Sequence, residues 1–378
     1  MEGSQRTPTC TCPRAQKGTR WPNITSSGEP PCITRSYRPH GSLARILFEK
    51  QRADDRLAAY DKTQWYRVDT TRVREDLLRM WVPLGAGPNR DLPDKAAEAF
   101  LARSTERSDS LPLQIWHSLA RSALSWFISR TSINGLLGRG SMHVFSAEQF
   151  VKLMEASGFA GPWHSLVDLG AGDGATTAHV AHLFEKVYAT EISPPMRWAL
   201  SKRKFTVLDI DHWHEEAGPF SVILCLNLLD RCDRPSTLLR RLKSALAPGG
   251  RIVVALVLPF GPYVEVGERG DHRPSEYLPI KGVGLEGQIP ALLDRVFGPL
   301  GLECLAWSKL PYLCEGDLSQ AYCFLDDAIF VLRVRQEDPR TTSHGNCPRS
   351  DVGTEDRTIS DAQLETGMCG GGKKLLRD

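Results

Sequence analysis

A β-forming run that breaks into glycine at every second position leaves a chain few folds to choose from. His164-Ser-Leu-Val-Asp-Leu-Gly-Ala-Gly-Asp-Gly174 is such a run. Its strand-like part passes through Asp168 and enters a turn carrying Gly170, Gly172 and Gly174, and a second short run, Val187-Tyr-Ala-Thr-Glu191, ends in an acid. Neighbouring parallel strands with these endings grip a nucleoside-bearing cofactor at their carboxyl ends. The glycines let backbone approach the ligand, and the acid takes the ribose hydroxyls. Spacing separates two cofactors. A nicotinamide site has Gly-x-Gly-x-x-Gly around a pyrophosphate; here the third glycine arrives one residue early and Asp173 sits inside the turn. A carboxylate repels a pyrophosphate but tolerates the sulfonium of S-adenosylmethionine. The turn therefore points to S-adenosylmethionine as cofactor and away from a nicotinamide oxidoreductase.

The 378 residues suffice for one large domain or two ordinary ones. Hydrophobic residues at 41% and charged residues at 24% fit a soluble globular protein. A formal net charge of +2 argues for no special attraction to nucleic acid or to an anionic membrane. The ten cysteines include no Cys-x-x-Cys pair, and the ten histidines show no ligand spacing, so no metal is expected. The first 40 residues hold charges and prolines but no apolar run of signal-peptide length. The longest apolar run, Ile252–Phe260, is far too short to span a bilayer and reads as a core strand.

Composition and periodicity divide the chain into four parts. Residues 1–42 form a Thr/Pro/Gly/Arg/Ser-rich leader and 336–378 a polar, Gly-rich tail, both expected to be disordered. Residues 43–140 read as a helical cap with a lid segment, in which Leu113–Ile128 is expected to be a buried helix and Ser129–Ser141 a Gly/Ser/Arg-rich connection. Ser146 with Gln149 three residues on has the pattern of a capping box opening a helix to Ser157. Within 141–335, strands are expected near 165–169, 186–190, 205–209, 220–226, 251–258, 302–308 and 323–334, with helices in most gaps. Such alternation implies an α/β fold of the Rossmann-like, class I methyltransferase type. Its seven-stranded, mostly parallel sheet would be covered on both faces and end in an antiparallel hairpin.

Longer strings are more specific than the glycine turn. They are Ser129-Arg-Thr-Ser-Ile-Asn-Gly-Leu-Leu-Gly-Arg-Gly-Ser141, Cys225-Leu-Asn-Leu-Leu-Asp-Arg-Cys-Asp233, Ala255-Leu-Val-Leu-Pro-Phe260, Leu310-Pro-Tyr-Leu-Cys-Glu-Gly-Asp317 and Leu325-Asp-Asp-Ala-Ile-Phe-Val-Leu332. With them, roughly residues 60 to 335 closely resemble the methyltransferase-like protein 9 family, also called DREV. The resemblance implies transfer of a methyl group from S-adenosylmethionine to the pros nitrogen (Nδ1) of histidine in His-x-His segments of proteins, where x is small. Tyr312, by the same resemblance, closes over the cofactor. The chain departs from the family in having Cys323 after Tyr322, where two tyrosines are common.

Asp168 and Glu191 end the first two strands of the turn and are the expected cofactor contacts, Asp168 in part through the methionine ammonium. Asp209 and Asp211, after the third, are as readily solvated loop charges as adenine contacts. Asn227 and Asp230 follow the fourth, where a methyl acceptor must approach. There, amine-methylating relatives often carry Asn/Asp-Pro-Pro-aromatic, and this chain has Asn-Leu-Leu-Asp. Asn227 can hold cofactor or substrate, and Asp230 can accept the imidazole N–H opposite the attacking nitrogen, which selects the tautomer and stabilises growing charge. Glu315 and Asp317 are candidates to meet a histidine-rich peptide or are solvated acids. Asn134 and Arg139 order a lid or shape a turn. His212-Trp-His214 has the His-x-His form but a bulky central residue. The rival functions are the same chemistry on a small molecule or RNA, and a non-catalytic cofactor-binding scaffold.

Overall fold

Ser165–Leu169 and Phe220–Leu226 are buried at every position, the mark of central parallel strands covered on both faces. They belong to a computed structural model that describes residues 41–124, 126, 130–264 and 270–336. The expected leader and tail lie outside these residues apart from their inner ends, and the described residues up to Arg335 form one unit.

The strands are β1 (Met142–His143), β2 (Ser165–Leu169), β3 (Lys186–Thr190), β4 (Thr206–Leu208), β5 (Phe220–Leu226), β6 (Leu246–Val257), β7 (Leu302–Asp317) and β8 (Gln320–Val334). Among the described residues they make one eight-stranded sheet in the order β1-β7-β8-β6-β5-β2-β3-β4. Strands β2 to β6 pair in parallel; β8 runs antiparallel to β6, β7 to β8 and β1 to β7. The class I methyltransferase fold is as expected, with one strand more than the seven. The extra strand exists because β7 and β8, at 16 and 15 residues, leave a long edge that Met142 and His143 pair with at Cys314 and Leu313. A two-residue strand carries no periodicity to read.

Side chains that alternate along each strand feed two cores, one on each face. Leu166, Val222, Val253 and Phe324 face a core holding Trp65, Phe100, Phe145 and Phe150. Val167, Ile223, Val254 and Phe330 face another holding Leu77, Trp213, Leu239 and Trp307. The helices are α1 (Ser42–Ala59), α2 (Glu75–Met80), α3 (Lys95–Asp109), α4 (Leu111–Leu124), α5 (Arg130–Leu136), α6 (Ala147–Ala156), α7 (Ala175–Val180), α8 (Pro194–Lys202), α9 (Trp213–Glu216), α10 (Pro235–Ala245) and α11 (Gly284–Ala291). The N-terminal segment is stitched along the terminal hairpin. Trp307 Nε1 donates to Leu77 O at 2.8 Å, Val82 N to Trp307 O at 2.8 Å, and Ala321 N to Asp54 Oδ1 at 2.7 Å.

Two expectations about the N-terminal segment are corrected. The helix expected to be buried is α4, and it turns its apolar residues outward: Leu111, Ile115, Trp116 and Leu119 are exposed, whereas Gln114 and His117 are buried. Part of the cause is Gln114 Nε2, which donates at 2.8 Å to Arg107 O near the end of α3, where helix carbonyls lack intrahelical partners. Ile128, the far end of the expected span, is outside the described residues. The connection expected over Ser129–Ser141 contains α5, which packs on α8 so closely that a Cβ on Gly135 would lie 2.5 Å from Met196 Sδ. Tertiary contact overrides a Gly/Ser-rich composition there.

The capping box is present. Ser146 Oγ accepts from Gln149 N at 3.2 Å, and Gln149 Oε1 accepts from Ser146 N at 3.0 Å. Both residues are buried, so water does not replace a lost partner. Ser146→Ala is predicted to destabilise the fold by about 1 kcal/mol. An unchanged urea midpoint would show that the box contributes nothing.

Candidate active site

The chain order of the strands reverses between β2 and β5, and in open α/β sheets the crevice outside the carboxyl ends at such a switch point receives the ligand. The glycine turn, Asp168, Glu191, Asn227 and Asp230 lie at or just past the carboxyl ends of β2, β3 and β5 there. The turn after β2 takes Gly170, Gly172 and Gly174 through positive φ of 68°, 60° and 73°. At Gly174 the requirement is also steric, since a Cβ would lie 2.7 Å from Leu200 Cδ2.

Asp168 is buried at the end of β2, and Thr177 Oγ1 from α7 donates to its Oδ2 at 2.5 Å. Burial pushes its carboxyl up to about 7, against the lowering effect of the Thr177 bond; nearby Glu191 adds to the rise. Glu191, just past β3, is also buried. Its Oε2 accepts from Gly172 N at 3.0 Å and its Oε1 from Ser193 N at 2.9 Å. The carboxylate thus ties the glycine turn to the next strand, and each oxygen retains a lone pair for a hydroxyl.

Beyond β5, Asn227 is fully buried and adopts φ 53°, an uncommon conformation for a residue other than glycine but one that asparagine tolerates. Its N–H donates to Ala255 O at 2.8 Å, and its Nδ2 to Asp327 Oδ2 of β8 at 2.8 Å. Asp230 is buried three residues on. Arg231 Nε lies 3.1 Å from its Oδ2, while its Oδ1 is buried with no hydrogen-bond partner among the described residues. The Arg231 guanidinium sits 5.9 Å from the centre of the Tyr263 ring, and Tyr263 N donates to Asp230 O at 2.8 Å. A buried acceptor oxygen in a crevice is a costly feature unless a ligand donor meets it.

Tyr312 is buried in β7, and its hydroxyl contacts Met142 Sδ. Met142 lies against the glycine turn: a Cβ on Gly172 would be 3.8 Å from its Cε, and Thr176 Oγ1 approaches its carbonyl at 3.4 Å. Tyr312 therefore reaches the turn through Met142. Glu315 and Asp317 are buried, not solvated. Glu315 pairs with Arg107 at 3.3 Å and accepts from Ser141 N at 3.3 Å; Asp317 accepts from Ser319 N at 2.8 Å. Arg139 is buried and donates to Gly316 O at 2.9 Å, and Asn134 O accepts from Arg139 N at 2.7 Å, so both order the segment before β1. Asp209 caps its own turn, accepting from Asp211 N at 2.8 Å and His212 N at 3.1 Å, bonds that hold its carboxyl below the usual range; Asp211 is exposed. Trp213, the central residue of His212-Trp-His214, is buried in the core.

Sequence reasoning assigned no role to Met142, Thr177 or Asp327. Asp327 carries a readable signal, an acid inside the apolar run Phe324–Leu332, where an unpaired carboxylate is not tolerated. Met142 and Thr177 carry none.

A crevice at a switch point, a glycine turn and two buried carboxylates that accept N–H, O–H or cationic groups fit a positively charged nucleoside, and the protein is a class I S-adenosylmethionine-dependent methyltransferase. The model of the DREV methyltransferase family matches residues 65–334, and the chain belongs to that family. It is also similar to protein-L-isoaspartate O-methyltransferase 2 of a Polaromonas species, 29% identical over 174 residues that cover 43% of this chain and 80% of the relative. Among solved structures, it is similar to the N-methyltransferase NodS of Bradyrhizobium japonicum in complex with S-adenosyl-L-homocysteine: TM-score 0.33, 18% identity, 50% of this chain and 87% of the other. An S-adenosylmethionine-dependent methyltransferase of Clostridium acetobutylicum gives TM-score 0.35 and 10% identity over 58% and 98%.

The Asp168 carboxyl generates a prediction. Its folded value of about 7 lies above the ordinary 3.8, so the folded chain holds a proton that the unfolded chain releases between those values. The associated stability is fully present below about pH 4 and is lost as pH rises to about 7. Asp168→Asn should flatten that part of the profile, measured as the difference between urea midpoints at pH 5 and pH 8. Cofactor affinity should run the other way in the native protein, weakening as pH falls below 7, because a cation binds the ionised carboxylate. Parallel profiles for the two proteins would overturn the assignment.

Proposed function

We propose that this methyltransferase modifies histidine at Nδ1 in His-x-His segments of protein substrates. The observation that carries the reading is Asp230, a buried carboxylate with one unpartnered oxygen, set beside Asn227 at the end of β5. Asp168, the Gly170, Gly172 and Gly174 turn, Glu191, Asn227 and Tyr312 are the proposed cofactor contacts, Tyr312 acting through Met142. S-adenosylmethionine, when bound, supplies an electrophilic methyl on a sulfonium that leaves as a neutral thioether.

Neutral imidazole is already a competent nucleophile, so the protein's task is to present the right nitrogen. Asp230 Oδ1 accepts the Nε2–H of the substrate ring, which leaves the lone pair on Nδ1. As Nδ1 gains its methyl bond the ring becomes cationic, and the same carboxylate opposes that charge and accepts the Nε2 proton as neutrality is restored. Arg231 places its guanidinium 3.1 Å from the other oxygen, which leaves Oδ1 as the oxygen open to the ring. Asn227 is fixed by Asp327, which makes its backbone carbonyl a rigid element of the crevice wall. Positioning of this kind supplies most of the rate in a displacement that needs no further activation.

Purified protein with labelled S-adenosylmethionine should methylate a His-Ala-His peptide and leave the Ala-Ala-Ala control unlabelled, with fragmentation placing the methyl at Nδ1. Asp230→Ala should lower turnover by roughly 10²–10⁴-fold while calorimetric cofactor affinity holds. Equal labelling of lysine or arginine peptides, or of RNA, would sink the acceptor assignment. Cofactor binding without turnover on any acceptor would favour a scaffold.

A further inference from the structure

We infer that α4, together with the neighbouring α8, docks this protein on an anionic lipid surface. Helix α4 is amphipathic with its faces reversed. Leu111, Ile115, Trp116 and Leu119 recur at helical spacing on the outside, with Trp116 62% and Leu119 63% exposed, while Gln114 and His117 point inward. A contiguous apolar stripe facing outward marks a surface that something covers.

The charge around the stripe identifies the occupant. No Asp or Glu occurs from Ser110 to Ala147, and the half-buried Arg121 lies in the same helix. Helix α8, on which α5 packs, lies in a second acid-free segment, Ile192 to Leu208. It exposes Trp198, 64% accessible, with Arg197, Lys202 and Lys204, and the Lys202 ammonium lies 4.9 Å from the centre of the Trp198 ring. The net charge of +2 thus hides a segregation that the whole-chain sum does not report.

Exposed tryptophans among aliphatic side chains, with the Arg197, Lys202 and Lys204 cations on the α8 side, match the headgroup boundary of a bilayer. Indole sits at that boundary, aliphatic groups enter the acyl region, and Lys and Arg meet phosphate. A single-stranded nucleic acid would stack on the tryptophans but gain nothing from Leu111, Ile115 and Leu119. An ordinary protein partner would not select against acids over two separate segments. Among the described residues no helix is long and apolar enough to cross a membrane, so the contact is peripheral. The inference is independent of which acceptor is methylated.

The test is flotation of the full chain with phosphatidylcholine vesicles and with vesicles containing roughly a third phosphatidylserine, at low and high salt. Retention on the phosphatidylserine vesicles alone, weakened by salt and accompanied by a blue shift of tryptophan emission, is expected. The double variant Trp116→Ser with Leu119→Ser should lower the partition coefficient by roughly tenfold or more. Arg197→Glu with Lys204→Glu should remove the salt-sensitive part. All four side chains are exposed, so unchanged far-ultraviolet circular dichroism and melting midpoints accompany either loss. Absence of retention on both vesicles, or retention that neither variant alters, overturns the proposal, as does capture of RNA or a protein in place of vesicles.

Discussion

Four carboxylates, Asp168, Glu191, Asp230 and Asp327, are buried at one end of the sheet, and the rest of the architecture answers to that constraint. Buried charges are tolerated only when paired, hydrogen-bonded or neutralised. Each of the four takes a different course. Glu191 accepts two backbone N–H groups, Asp327 accepts the Asn227 amide, Asp230 faces the Arg231 guanidinium, and Asp168 takes a hydroxyl donor and a raised pKa. Glu191 and Asp327 gain no counter-charge from these bonds, so the site keeps a negative character. A sulfonium-bearing amino acid nucleoside is the kind of ligand that benefits from it, and a pyrophosphate is the kind that does not.

The terminal hairpin explains why the constraint is met. β8 places Asp327 opposite Val257 at the end of β6, next to the strand that leads into Asn227, and so closes a bond between residues 100 apart in sequence. β7 carries Tyr312 to Met142 and continues to Glu315 and Gly316, where Arg107, Arg139 and Ser141 fasten the N-terminal segment. One long hairpin therefore fixes Asn227 and also anchors the N-terminal segment. That dual role accounts for its length beyond the seven-stranded expectation.

What was legible in the sequence was local. The glycine turn, Glu191 and the Ser146–Gln149 capping box each fit within a few residues, and backbone sterics or a short hydrogen bond dictates them. The central strands were legible because burial on both faces leaves continuous apolar runs. Features set by packing at a distance were not. The orientation of α4 depends on what Gln114 meets, α5 on Met196, and β1 on an edge left open by β7, far along the chain. Apolar content alone made Leu113–Ile128 read as core, because composition reports how much a helix wants to bury and not which side it turns inward.

The same distinction separates the two halves of the active site. The half that receives the donor, Asp168 through Glu191, is one βαβ unit whose chemistry follows from its own residues. The half proposed to meet the acceptor is assembled: Asn227 is bonded to Asp327, and Asp230 faces Arg231 with Tyr263 alongside. On the proposed reading, a change in Arg231 or Tyr263 alters the acceptor side alone, whereas a change in Asp327 reaches Asn227 and with it the cofactor side as well. Donor identity is for that reason a property of the fold class, and the proposed acceptor identity rests on long-range contacts around Asn227 and Asp230.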